Sequence, residues 1–186
     1  MAFEWHDHHF INDLSCLDLA NTVVYRNNRE RREDRLRTAA DLKAWLRAAG
    51  LPAGKRARLM DAIVLREAID CLFRDIAAGR PVSGEGWTRL VTRYCKLLDR
   101  SAMKRTSEGL APASSKAAPL AQIAHSAVAL ALSPTIGRVK ACSGCGWLFL
   151  DRTRNGSKRW CITAMCGSRA KARRYYARKT GRLVQS

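Results

Sequence analysis

Four cysteines follow the spacing C-x2-C-x15-C-x4-C, through Cys142, Cys145, Cys161 and Cys166. A C-x2-C pair sets two thiolates on one tight turn, where both grip a single ion. Gly144 and Gly146 ease the backbone as it doubles back. The second pair closes a tetrahedral shell around zinc, with about 2.3 Å to each sulfur. Four sulfurs leave no open position for water, so the expected role is structural, with one Zn2+ as cofactor. Such a metal supplies roughly 10–16 kcal/mol of apparent folding free energy to a segment too small to build its own core.

The thiols sit in a field of cations. Residues 152–186 carry eleven lysines and arginines and no acid. Two or three cations would balance the anionic zinc–thiolate cage and depress the thiol pKa values; the segment has many more. A solvated helix usually mixes signs to gain i,i+4 pairs. This one accepts self-repulsion, a pattern that suits phosphates as the missing anions. Arg152, Arg154, Lys158 and Arg159 between the cysteine pairs, and Arg169, Lys171, Arg173, Arg174 and Arg178 on the last helix, are the candidate nucleic-acid contacts. Ala172, Tyr175 and Tyr176 are expected to pack against the finger or the preceding domain. The plainer alternative is a basic tail that aids solubility.

The elements that position these residues are mostly helical. The chain of 186 residues has a formal charge of +18 and 47% hydrophobic residues, enough for a core of its own. Its start lacks the apolar stretch of a signal peptide. The longest strongly apolar run, near Ala127–Leu132, spans about six residues against the ~20 that cross a bilayer. A soluble cytoplasmic protein without a membrane partner is expected, and in a reducing compartment clustered cysteines hold metal rather than disulfides. Cys16, Cys71 and Cys95, set singly among apolar residues, read as small core hydrophobes.

Leu14, Leu17, Ala20, Val23 and Val24 recur at helical spacing, with Asp13 or Ser15 as the cap. The arginine-rich run at 26–37 reads as a solvated loop or helix start. Thr38 caps a second helix that Gly50 ends. The longest helix carries Leu59, Ile63, Leu65, Ile69, Leu72, Phe73 and Ile76 inward and stops at Gly79–Pro81. Another follows from Gly84. Residues 101–119 suggest a short hairpin with a Ser-Glu-Gly turn, with a plain loop as the alternative, and "LAQIAHSAVALAL" resumes as a buried helix. Within the cysteine segment, "GWLFLD" and "RTRNGSKRW" read as two arms turning at Asn155–Gly156. Trp147, Phe149 and Trp160 would cover the metal, and a helix bearing Cys166 in its first turn follows. The fold class is thus a mainly α N-terminal domain with a short β-hairpin (1–136) plus a small α+β treble-clef zinc finger at the C-terminus (137–186).

The segment "CSGCGWLFLDRTRNGSKRWCITAMCGSRAKARRYYAR" resembles the CGNR-type zinc finger, with Ser168 in place of the signature's asparagine. "CLDLANTV", "DLKAWLRAAGL" and "LREAIDCLF" resemble the ABATE domain that precedes it in stress-induced transcription regulators. The resemblance implies a treble clef that binds DNA behind a ligand-sensing or dimerising domain, with Cys142, Cys145, Cys161 and Cys166 as the zinc ligands. Asp18, Asn21, Thr22 and Tyr25 share a polar helical face that in this family position would line a ligand cavity, with Asp18, Asn21 and Thr22 as the candidate ligand residues; a solvated stripe is the plainer reading.

His6, Asp7, His8 and His9 have metal-ligand chemistry but read as an exposed terminus, and His125 as a satisfied core histidine. The sequence shows no nucleophile–base pair or P-loop, so an enzyme is not expected. The first reading is a zinc-dependent DNA-binding transcription regulator, with a small-molecule effector and a second copy of the chain as further partners. The alternative is an RNA-binding or protein-interaction module stapled by the same zinc.

Overall fold

Apolar spacing sets the helices, and one long helix organises the rest. The computed structural model describes residues 3–53, 57–98, 102–107, 109–113 and 119–180. Helix α1 (Ser15–Ala20) is followed by the two-residue strands β1 (Val23–Val24) and β2 (Glu33–Asp34), then by α2 (Ala39–Ala48) and α3 (Leu59–Ala77). Next come α4 (Gly84–Leu98), the hairpin β3 (Met103–Thr106) and β4 (Gly109–Pro112), and α5 (Pro119–Ala131). The C-terminal part contains β5 (Val139–Ala141), β6 (Leu148–Leu150), a π-helical turn at Thr163–Gly167 and α6 (Ser168–Thr180). Leu65, Ile69, Leu72 and Phe73 of α3 are buried together with Leu17 and Leu19 of α1, Trp45 and Leu46 of α2, Leu90 of α4 and Ile123 of α5. Each such side chain contributes about 1.5–3 kcal/mol by leaving water. None of the described helices is long and apolar enough to cross a membrane.

Thr38 caps α2 as expected. Its Oγ1 accepts from Asp41 N at 3.1 Å, while the Asp41 carboxylate accepts from Thr38 N at 2.8 Å. Gly50 ends the helix in the left-handed region at φ 67°. The hairpin β3–β4 forms with Met103 opposite Pro112 and Thr106 opposite Gly109; Glu108 of its expected turn lies outside the described residues.

Four local expectations are corrected. Helix α1 stops at Ala20, and neither Asp13 nor Ser15 caps it, since Leu14 holds the cap position without a side-chain bond. Val23 and Val24 leave the helix to pair with Asp34 and Glu33. Only Glu33 and Asp34 of the arginine-rich run form the return arm of this hairpin; residues 27–33 are exposed, as expected of a solvated loop. Cys71 and Cys95 are exposed, because the buried stripes of α3 and α4 turn them outward; Cys16 is buried as expected.

The fourth correction concerns the finger. "GWLFLD" does not pair with the segment after it. Strand β6 pairs antiparallel with β5, Val139 opposite Leu150 and Ala141 opposite Leu148. Residues 151–160 form no ladder with it. The hairpin is built into the helical body: β5 packs on α3, β6 packs on α1 and α3, and Val139 and Leu148 join the main core. Two buried asparagines complete β6. Asn21 donates to Leu148 O at 2.9 Å and accepts from Leu148 N at 2.8 Å, as a neighbouring strand would. Asn12 donates to Leu148 O at 3.3 Å and accepts from Leu150 N at 3.2 Å.

Removing the Asn21 amide strands Leu148 N–H in the interior, a loss of about 1–3 kcal/mol. Urea titration of the zinc-loaded protein should show Asn21→Ala destabilised by about 2–3 kcal/mol, against about 1 kcal/mol for Thr38→Ala, which loses only a cap. Equal effects would mean that the asparagine does not secure the strand.

Candidate metal centre and basic face

The Cys142–Cys145 turn closes the β5–β6 hairpin. Cys142 N donates to Trp147 O at 2.8 Å and Gly146 N to Cys142 O at 2.9 Å, with Gly146 left-handed at φ 77°. Two contacts with the N-terminal region seat this turn: Tyr25 N donates to Cys145 O at 3.1 Å, and Arg74 Nη1 to Gly146 O at 3.2 Å. The π-helical turn brings in Cys166, whose N–H donates to Ile162 O at 2.8 Å. Gly167 has no room for a side chain, since a Cβ there would stand 2.7 Å from Cδ1 of Trp160.

These turns place the four Sγ atoms within 4.8 Å of one another. Cys145 and Cys161 are 3.5 Å apart, and Cys161 and Cys166 3.7 Å. Sulfurs held about 2.3 Å from zinc make a tetrahedron with edges of about 3.8 Å, whereas a disulfide needs about 2.05 Å. The spacing fits one zinc ion and no disulfide. All four cysteines are buried with Val24, Trp147 and Phe149, and Trp160 and Ile162 pack against them. Hydrogen bonds from Cys145 and Cys161 pull the Cys142 thiol down, and the same bond pushes Cys145 up to about 12. Cys161 is pushed up by its bonds to Cys142 and Cys145, and Cys166 by burial. Four thiols this close cannot all ionise against one another; a bound divalent cation removes the conflict. The cysteines form a structural zinc site.

The segment between the pairs is shaped by its one acid. Asp151 is fully buried. Burial opposes its charge, but bonds from Thr153 and Lys140 outweigh that and hold the carboxyl well below the usual range. It accepts from Thr153 N at 3.0 Å, Lys158 N at 2.8 Å and Lys140 Nζ at 2.9 Å. Lys140 also reaches Gly156 O, and Arg138 reaches the carbonyls of Thr153 and Arg154. This wrapping replaces the expected ladder, because the N–H groups a strand would offer are turned toward a carboxylate. Arg138, Lys140 and Asp151 escaped the sequence reading, although a lone acid at the head of a basic run is a usable signal.

Arg152, Arg154 and Arg159 stand exposed on this segment; Lys158 lies half-buried, 5.5 Å over the Phe149 ring. Arg152 also donates to Asn12 O at 3.1 Å. Arg169, Lys171, Arg173, Arg174 and Arg178 are all exposed on α6. The expected packing of Ala172, Tyr175 and Tyr176 is not found. Ala170 is the one buried residue of the helix, and the tyrosines are 54% and 62% exposed, their rings 5.6 Å apart. Helix α6 packs on the π-helical turn, and beyond Ala170 its residues are exposed apart from the half-buried Ala177.

The three candidate ligand residues fare differently. Both polar atoms of Asn21 serve β6, and Thr22 Oγ1 donates to Leu19 O while accepting from Arg66 Nη1. Asp18 lines a cavity of ≈ 330 Å³, and burial raises its carboxyl to about 7. The N-terminal histidines are not simply an exposed terminus. His6 and His8 are exposed, but His9 is buried edge-on to Trp147, at 6.3 Å between ring centroids. Its Nδ1 accepts from His6 N, and burial lowers its pKa to about 4. Among the described residues these histidines join no metal-ligand cluster. His125 is half-buried and bonded to Tyr94 Oη at 2.8 Å.

Comparison with known families follows the same division. The model for the CGNR zinc finger matches residues 138–179. The ABATE model, described as "Putative stress-induced transcription regulator", matches residues 14–134. Neither family is catalytic. Among curated proteins, none matches the chain.

Two outcomes follow from this geometry. In the zinc-loaded protein an alkylating reagent should modify Cys71 and Cys95 quickly and spare the other five cysteines, and a chelator should expose the four ligands; mass spectrometry reads both. For Asp18 the folded pKa lies above the unfolded one, so its contribution to stability is greatest below about pH 4 and is lost as pH rises to about 7. Relative to the wild type, Asp18→Asn should gain up to ~1.4 kcal/mol per pH unit across that window, measured by denaturation. A constant difference would contradict the assignment.

Proposed function

Because the chain belongs to the ABATE family and carries a CGNR zinc finger, we propose that it is a zinc-dependent, DNA-binding transcription regulator of the cytoplasm. The finger meets DNA, and the N-terminal helices sense a ligand or dimerise. The observation that carries this reading is the pairing of a rigid centre with an acid-free basic surface. Arg152, Arg154, Lys158 and Arg159 ride on the segment wrapped around Asp151, and Arg169, Lys171, Arg173, Arg174 and Arg178 on a helix whose start is tied to Cys166. Phosphates supply the anions that this surface lacks within the chain. Arginine forks also suit guanine edges in a major groove.

A second reading is supported by Tyr175 and Tyr176. Exposed aromatic rings among arginines form a stacking platform for unpaired bases, so a single-stranded or structured RNA is the competing partner.

Affinity for duplex DNA, followed by fluorescence anisotropy over a salt series, distinguishes them. If five or six cations meet phosphates, log K falls with log[salt] at a slope near about −5, roughly a thousandfold between 50 and 200 mM. Arg173→Ala with Arg174→Ala should reduce the slope by about two. A slope near zero would rule out phosphate contact. Tighter binding to single strands than to duplex, lost in Tyr175→Ala with Tyr176→Ala, would favour RNA.

A further inference from the structure

The cavity beside Asp18 has the wrong charge for this protein. The chain carries +18 overall, yet among the described residues two carboxylates, Asp13 and Asp18, line the cavity and no lysine, arginine or histidine does. Asp18 is 5% exposed, and none of the ion pairs among the described residues includes it. Of the other buried acids, Asp70 is paired with Arg26 and Arg74 and Asp151 with Lys140, while Asp41 is held by the N–H groups of Phe3, Arg37 and Thr38 at the start of α2. A buried carboxylate without a counter-charge is costly. The C-terminal end of α2, the negative end of its dipole, adds Ala48 and Ala49 to the same wall. Phe10 and Leu14 provide an apolar side, and the hydroxyls of Ser15 and Ser126 complete the lining. A volume of ≈ 330 Å³ lies at the small end of the range for ligand sites.

The acid also touches the machinery that holds the finger. Asn12 Nδ2 divides its two hydrogens between Asp18 Oδ1 at 2.9 Å and Leu148 O at 3.3 Å. The Asn12 Oδ1 accepts from Leu150 N, and its backbone carbonyl accepts from Arg152 Nη2. One side chain thus joins the cavity wall to strand β6, and one backbone carbonyl joins it to a basic residue of the finger.

We propose that this cavity binds a small organic cation, an ammonium or guanidinium group on a compact apolar body, through Asp18, and that binding is transmitted by Asn12 to β6 and Arg152. A cation on the carboxylate competes for the lone pairs that Asn12 uses and weakens that hydrogen bond. The Asn12 amide then shifts relative to Leu148 and Leu150. The site gives the ligand-sensing part of the proposed function a chemical class and a route to the finger. It rests on that reading only for its biological purpose.

Benzylammonium, with benzyl alcohol as its uncharged counterpart, is a suitable probe pair for the zinc-loaded full chain followed by NMR. Saturable binding of benzylammonium, at least tenfold tighter than benzyl alcohol and accompanied by shifts of the Leu148 and Leu150 amides, is expected. Asp18→Asn should weaken it tenfold or more. Ala48→Phe, which fills the cavity mouth from an exposed position and leaves Asp18 and Asn12 intact, should abolish it. Equal binding of the two probes, undiminished binding by either variant, or shifts that stop at the cavity would overturn the proposal. Duplex-DNA affinity measured with and without benzylammonium should change at least fivefold, and an unchanged affinity overturns transmission to the finger. Failure to bind DNA at all counts against the regulator reading, while the NMR result still decides the cation site.

Discussion

Four sulfurs converging on one point are the constraint on which the C-terminal quarter depends. Much of the hydrophobic cluster around the segment from Cys142 to Cys166 consists of the cysteines themselves, with Val24, Trp147 and Phe149 around them. Without a cation, the thiols oppose one another's ionisation. With one, the two ends of the finger are fixed at a distance set by coordination chemistry. The glycines at 144 and 167 read as consequences of that closeness: a Cβ on Gly144 would stand 3.1 Å from the Cys166 Cβ, and one on Gly167 would enter the Trp160 ring.

The metal alone does not orient the finger. Its hairpin is seated by polar contacts spanning the chain: Asn21 and Asn12 on β6, Tyr25 N on Cys145 O, and Arg74 on Gly146 O. Behind Arg74 runs a line of paired charges: Arg74 with Asp70, Asp70 with Arg26, Arg26 with Glu67, Glu67 with Arg66 and Arg66 with Asp34. Arg66 is 2% exposed and forks onto Asp34 at 2.7 Å on both arms. Such pairs add little net stability, because desolvation offsets attraction, but losing one partner leaves a buried charge. They tie the β1–β2 hairpin, α3 and the zinc turn into one arrangement, so the finger continues the helical body rather than hanging from it.

The features visible in sequence are those whose cause is local. The cysteine spacing, the Thr38 cap and the apolar period of α3 each depend on residues within a few positions of one another. The features that escaped depend on distant partners. Arg66 and Asp70 carry no signal in the helical spacing of α3, yet Arg66 meets an acid 32 residues away. Asn21 read as part of a polar helical face and Asn12 was not singled out, yet both complete a strand more than 120 residues later. The β5–β6 pairing was hidden because β5 has only three residues, too few for its alternation to stand out from the helical pattern before it. The exposed tyrosines of α6 show the converse: a helical stripe was read as packing, but among the described residues nothing covers it.

The central claim is that a bound metal gives the basic face its shape. Amide hydrogen exchange on the full chain, zinc-loaded and zinc-stripped, tests it most directly. Removal of the metal should abolish protection across residues 142–170 and through the start of α6, while α3 and α5 keep theirs. Undiminished protection of the cysteine segment in the stripped protein would show that the finger holds its shape without the ion, and the account would be wrong.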